Sequence, residues 1–148
     1  MSQFNETSRI LVVDDQTSTR ELIVQKLAEL GYSTVDTAYD GVNALEVLEK
    51  SIGAGQPYAV MFLDWVMPNM QGIDVLKKVK SDPRFSELKI IMLTAELERE
   101  NVVEAVQGGV TGYLPKPVDK TDLKKILDRI RGVKEAVPER KGFFKKFF

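Results

Sequence analysis

At 148 residues the chain has the length of one domain, enough to bury a sizeable core. Its 21 Lys+Arg nearly balance 22 Asp+Glu for a formal net charge of -1, so no global basic field invites nucleic acid. With Cys 0 and His 0, disulfides, thiolate or imidazole metal ligands, thiol nucleophiles and Ser-His-Asp catalysis are all excluded.

Met1 to Arg9 is polar and has no apolar core segment of a signal peptide. No apolar run approaches the ~18 residues of a membrane helix, so a cytoplasmic location is expected. Ile10-Leu11-Val12-Val13 predicts a buried strand that ends in Asp14-Asp15. A helix opens at Ser18 or Thr19, turns Leu22, Ile23, Leu27 and Leu30 to one face and stops at Gly31. Tyr32 to Ala38 is a more polar second strand, expected nearer an edge. Asp40-Gly41 caps a second helix with Ala44, Leu45 and Leu48 inward, and Gly53 to Pro57 is a loop.

Tyr58-Ala59-Val60-Met61-Phe62-Leu63-Asp64 is the central signal of the chain. A short apolar run bounded by turn residues reads as a strand buried on both faces, and it presents a single carboxylate at its end. After Pro68 and Gly72 comes a helix bearing Val75, Leu76 and Val79, broken at Ser81-Asp82-Pro83. Ile90 to Leu93 is a fourth strand ending in Thr94-Ala95-Glu96. A fourth helix carries Val102, Val103 and Val106 and stops at Gly108-Gly109. Gly112-Tyr113-Leu114 is a fifth strand leading to Lys116-Pro117, and Leu123, Ile126, Leu127 and Ile130 mark a last amphipathic helix. Strands alternating with helices imply a doubly wound α/β domain, with a five-stranded parallel sheet covered on both faces.

In such sheets chemistry gathers at the carboxyl ends of the strands. Asp14-Asp15, Asp64, Thr94 and Lys116 each stand at one. Taken singly, the carboxylates and Thr94 read as caps and turns, and Lys116 as a solvated charge. Together they place three carboxylates, a hydroxyl and an ammonium at one edge. Clustered carboxylates repel unless a cation sits among them, and oxygen ligands alone suit Mg²⁺. Such a site could neutralise a transferring phosphoryl group while Asp64 attacks in line to form an acyl phosphate. No Walker-type glycine loop is present to hold a nucleotide.

These positions, with Asp64-Trp65-Val66-Met67-Pro68-Asn69-Met70-Gln71-Gly72, Leu93-Thr94-Ala95-Glu96 and Gly112-Tyr113, resemble the receiver domain of two-component response regulators, most nearly its chemotaxis subclass. The resemblance covers about residues 8–131. It implies the flavodoxin-like strand order 2-1-3-4-5, which no pattern in the residues dictates. It also implies Asp64 as phosphoacceptor and Asp15 as a direct Mg²⁺ ligand. Asp14 would hold the ion mainly through water, and the Val66 backbone carbonyl would be a further ligand. Thr94 and Lys116 would contact the phosphoryl group. Tyr113 would be the aromatic switch that turns inward as Thr94 moves, and Lys116-Pro117 would be cis. Val66 stands where chemotaxis relatives often carry a polar residue, which keeps the carbonyl and alters water access to the phosphoryl group.

The implied function is a stand-alone switch for chemotaxis or motility signalling, not a classical enzyme. A sensor histidine kinase would be its phosphodonor, and a downstream target would bind around helix four, strand five and helix five. Residues 1–132 would form this receiver domain and 133–148 a basic, Phe-rich tail. There Lys134, Arg140, Lys141, Lys145 and Lys146 outnumber Glu135 and Glu139, and Phe143, Phe144, Phe147 and Phe148 would share one helical face. That face could cover the protein's own surface, dock in a partner groove or rest on an anionic membrane. Two other functions are weighed: an adaptor acting through the tail, and an aspartyl-nucleophile phosphatase, against which Val66 argues because that class needs a second acid there.

Overall fold

The computed structural model describes residues 4–95 and 104–132. In chain order these form β1 (Ile10–Val13), α1 (Thr17–Glu29), β2 (Val35–Ala38), α2 (Gly41–Gly53), β3 (Val60–Asp64) and α3 (Gly72–Lys80). A 3-10 turn (Pro83–Phe85), β4 (Lys89–Thr94), β5 (Gly112–Pro115) and a last helix (Lys120–Arg131) complete them, and residues 104–107 are also helical. The strands are all parallel, in the order β2-β1-β3-β4-β5.

Burial fits the places of β1, β3 and β2 in that order. Every residue of β1 and β3 is buried, as inner strands covered on both faces require, whereas β2 exposes Asp36 and Thr37 and takes an edge. Because side chains alternate, the sheet feeds two cores. Leu11, Val13, Met61, Leu63, Ile90 and Met92 meet Ala44, Leu48, Val75, Leu76 and Val79 of α2 and α3. Ile10, Val12, Val60, Phe62, Ile91 and Leu93 meet Ile23 and Leu27 of α1 and Leu123, Ile126 and Leu127 of the last helix. Burying each such side chain is worth about 1.5–3 kcal/mol, so both faces contribute to a rigid platform.

The register aligns the strand ends. Val13 pairs with Leu63, Leu63 with Met92, Asp64 with Leu93, and Thr94 with Pro115. The residues that complete or follow these pairs therefore emerge at one edge.

The structure corrects several local expectations. The first helix begins at Thr17 with Gln16 as its N-cap, one residue before Ser18, and Leu22 is exposed while Ile23 and Leu27 face the core. Tyr32 is not in β2; its ring is buried and stacks on Phe4, 5.4 Å between centroids. Val106 is exposed, and Ala105 is the inward residue of that turn. Its predicted neighbours Val102 and Val103, Glu96 and the whole 133–148 tail lie outside the described residues. Asp40 does cap α2, accepting from the Asn43 backbone N–H at 2.7 Å, and Gly31 ends α1 at φ 100, a conformation open to glycine. Among the described residues no helix is long and apolar enough to cross a membrane.

Candidate functional site

Each strand end is locked by backbone before its side chain matters. Asp14 N–H donates to the Ala38 carbonyl, Trp65 N–H to Leu93, and Lys116 N–H to Thr94, at 3.2, 2.8 and 2.7 Å. The side chains of Asp14, Asp64, Thr94 and Lys116 are thus presented from fixed points on adjacent strands, all four at the carboxyl edge. The Lys116-Pro117 peptide is cis.

Lys116 is the hub. Its Nζ lies 2.6 Å from Asp14 Oδ2 and 3.2 Å from Asp64 Oδ2. Asp14 is fully buried, and its other oxygen accepts from the Gln16 backbone N–H at 2.9 Å, an Asx turn rather than a helix cap. Asp15 is exposed at the mouth, and carboxylate oxygens of Asp14, Asp15 and Asp64 come within 4.8 Å of one another. A cleft of about 360 Å³ opens here, walled by Asp15, Asp64, Val66, Thr94 and Lys116. Val66 is 64% exposed, so its isopropyl group stands over the opening rather than in the core.

The electrostatics follow from this crowding. Burial, then the charge of Asp14, raises the Asp64 carboxyl from 3.8 to about 6, against the opposing pull of Lys116. Burial pulls the Lys116 ammonium down, but its hydrogen bond to Asp14 and the charges of Asp64 and Asp14 outweigh that, and its pKa is raised. One ammonium does not balance three carboxylates. The donor set is all oxygen, hard and anionic, and fits a Mg²⁺ ion in chemistry and charge.

Thr94 walls the cleft, and Tyr113 lies on the neighbouring strand. Both are buried, Tyr113 at 0% exposure, and Tyr113 belongs to the core on the same face of the sheet as Met92, Leu76 and Ala105. Burial pushes the Tyr113 hydroxyl up, while the nearby Thr94 side chain pulls the other way. The two residues expected to form a switch are therefore neighbours on adjacent strands.

Several supporting groups have no obvious mark in the sequence. Arg20 reaches back from α1 to the Asp14 carbonyl at 2.6 Å and to Thr17 at 3.0 Å, fixing the β1–α1 turn. A Cβ at Gly72 would lie 2.2 Å from the Asp64 carbonyl oxygen, so only glycine lets α3 start against the end of β3. Asn69, at φ 69, bonds Asp40 across two loops. Pro68-Asn69, a turn former followed by a residue that tolerates positive φ, is the one sequence signal that could have pointed to it.

Known proteins resemble this chain in sequence and fold. The model of the response regulator receiver domain matches residues 10–128. Chemotaxis protein CheY-3 of Vibrio cholerae is 40% identical over 126 residues, covering 85% of this chain and 93% of that protein. The solved structure of CheY4 from the same species superposes with a TM-score of 0.75 at 34% identity, covering 84% of this chain and 98% of that one. The receiver domain of sensor histidine kinase PA1611 from Pseudomonas aeruginosa, solved with magnesium in its active site cleft, gives a TM-score of 0.74 at 28% identity over 85% of this chain and 98% of that one. With the family model spanning both cores and the whole carboxyl edge, the chain belongs to the response regulator receiver domains, in their CheY-like, two-component signalling branch.

Proposed function

We propose that this receiver is a phosphorylation switch whose acceptor is Asp64. The observation that carries the reading is the Lys116 ammonium held between Asp14 and Asp64 at the end of the central strand. In the transfer step a carboxylate oxygen of Asp64 forms the new P–O bond as the P–N bond of a kinase phosphohistidine breaks, its electron pair returning to the imidazole nitrogen. Lys116 then pairs with a phosphoryl oxygen, and the Thr94 hydroxyl donates to another. Water attack on phosphorus later restores the carboxylate and releases inorganic phosphate.

Asp15, Asp64 and the Val66 carbonyl would hold Mg²⁺, with Asp14 acting mainly through water. A bound Mg²⁺ supplies neutralisation of the charge on the transferring phosphoryl oxygens. The residues themselves orient and exclude water. The exposed Val66 side chain narrows the approach of the hydrolytic water and offers it no hydrogen bond. The output is a Thr94–Tyr113 rearrangement that changes the surface around residues 104–107, β5 and the last helix, where a motility target binds. The tail at 133–148 adds a docking segment for a partner groove, favoured over lipid because its Phe face is short.

The test is phosphotransfer from an autophosphorylated histidine kinase. Wild type should take label in Mg²⁺ and lose most of it in chelator, while Asp64→Asn takes none. Undiminished labelling of Asp64→Asn moves the acceptor elsewhere.

A further inference from the structure

The loop that carries Val66 is clasped to the start of α2 by a link that involves no residue so far assigned to the site. Asp40 is only 7% exposed, and both its carboxylate oxygens are engaged. Oδ1 accepts from the Asn43 backbone N–H at 2.7 Å, while Asn43 Oδ1 accepts in return from the Tyr39 backbone N–H at 3.1 Å. This reciprocal cap makes the helix start a firm anchor. Oδ2 accepts from Asn69 Nδ2 at 2.8 Å, across 29 residues of sequence.

Asn69 is the one non-glycine residue among those described with positive φ, at 69°. That conformation disfavours most side chains, and asparagine tolerates it best. It lets the chain reverse after Val66-Met67-Pro68, with Met70 N–H closing on the Pro68 carbonyl at 2.7 Å. The two loops also touch through backbone. A Cβ at Gly41 would lie 2.8 Å from Met70 Cβ and 2.9 Å from the Met70 carbonyl oxygen, so the approach needs glycine there. Anchor, hydrogen bond and close approach together fix the far end of a loop whose near end, Trp65 and Val66, walls the cleft.

We propose that Asp40 and Asn69 are positioning residues for the divalent cation: their hydrogen bond holds the Val66 backbone where its carbonyl completes the carboxylate site. The inference rests on the Mg²⁺ reading above. Outer partners that orient metal ligands typically change affinity about 10–100-fold when removed, so a single loop clasp belongs at the lower end of that range.

The test is Mg²⁺ titration of the full chain followed by Trp65 emission, with urea unfolding in chelator as a parallel measurement. Asn69→Gly keeps the left-handed backbone and deletes the hydrogen bond. Asp40→Asn leaves one acceptor oxygen for two donors. Each should weaken Mg²⁺ binding about tenfold. Combining Asp40→Asn with Asn69→Asp re-forms the bond in the reverse direction at unchanged net charge, and should restore affinity to within about twofold of wild type, inside the factor-of-ten effect being rescued. Asp15→Ala serves as the reference for the metal reading and should lose the response altogether. If the single variants titrate like wild type while Asp15→Ala fails to respond, the metal site stands and the clasp does not position it. A paired variant no better than the singles, or a loss of stability in chelator with unchanged Mg²⁺ affinity, also overturns the proposal. If Asp15→Ala itself titrates like wild type, the metal reading fails and the proposal falls with it.

Discussion

Removing the charge of the phosphoacceptor should stabilise the metal-free protein. Asp64 is buried beside Asp14, and its carboxyl is raised from 3.8 to about 6. A group whose folded-state pKa exceeds its unfolded value gives stability that is full below the unfolded value and lost as pH rises through the folded one. For Asp64 that window runs from 3.8 to about 6, so at neutral pH its ionised form opposes folding. At about 1.4 kcal/mol per pKa unit the ceiling is about 3 kcal/mol, and water in the open cleft screens this to about 1–2 kcal/mol. The attraction of Lys116 is already contained in that shift, since it acts on the same carboxyl. Asp64→Asn keeps the shape and cannot ionise. In chelator near pH 7.5, urea unfolding followed by far-UV circular dichroism should place the variant about 1–2 kcal/mol above wild type, and the gap should close as the pH falls toward 4. Mg²⁺ at about 100 times its Kd should add about 2.7 kcal/mol to wild type and markedly less to the variant. A variant equal to or less stable than wild type at neutral pH, or a gap that ignores pH, refutes the claim that burial and the neighbouring Asp14 charge strain the Asp64 carboxylate.

Three further outcomes are expected. Gly72→Ala sets a methyl carbon against the Asp64 carbonyl oxygen and should cost about 1–3 kcal/mol in urea unfolding, with slower phosphorylation because the end of β3 must shift; wild-type stability would show that α3 can move away freely. Thr94→Ala should still accept phosphate yet fail to raise target affinity on phosphorylation, as titration calorimetry with the partner would reveal, and full coupling in that variant would place the switch elsewhere. Deleting residues 142–148 should leave phosphorylation of Asp64 intact while weakening partner pull-down or altering cellular position; no change in either would reduce the Phe face to a cover for the protein's own surface.

The parts of the fold that follow from one-dimensional patterns were legible in the sequence. The apolar runs of β1 and β3 read as strands buried on both faces and the more polar Val35–Ala38 as one nearer an edge, and each lies where that reading puts it. The convergence of Asp14, Asp64, Thr94 and Lys116 also followed, because parallel strands put every carboxyl end on one side. The strand order came from family resemblance, since nothing in a strand's own residues names its neighbours. What escaped reading depends on three-dimensional packing. Leu22 and Ile23 fit a helical face equally well, and only the tilt of α1 on the sheet decides between them. Arg20 and the Asp40–Asn69 clasp act across turns and loops, where no periodicity marks a partner 29 residues away. Gly72 looked like punctuation and is instead the space into which the end of the central strand fits.

The most direct test is to locate the phosphoryl group itself. Full-length protein treated with acetyl phosphate and Mg²⁺ should gain one phosphoryl group by intact mass, and peptide mapping under conditions that preserve acyl phosphates should place it on Asp64. A phosphoryl group found on Asp14, Asp15 or any hydroxyl side chain, or none acquired while Mg²⁺ binds, would contradict the reading of this edge as an aspartyl-phosphate switch.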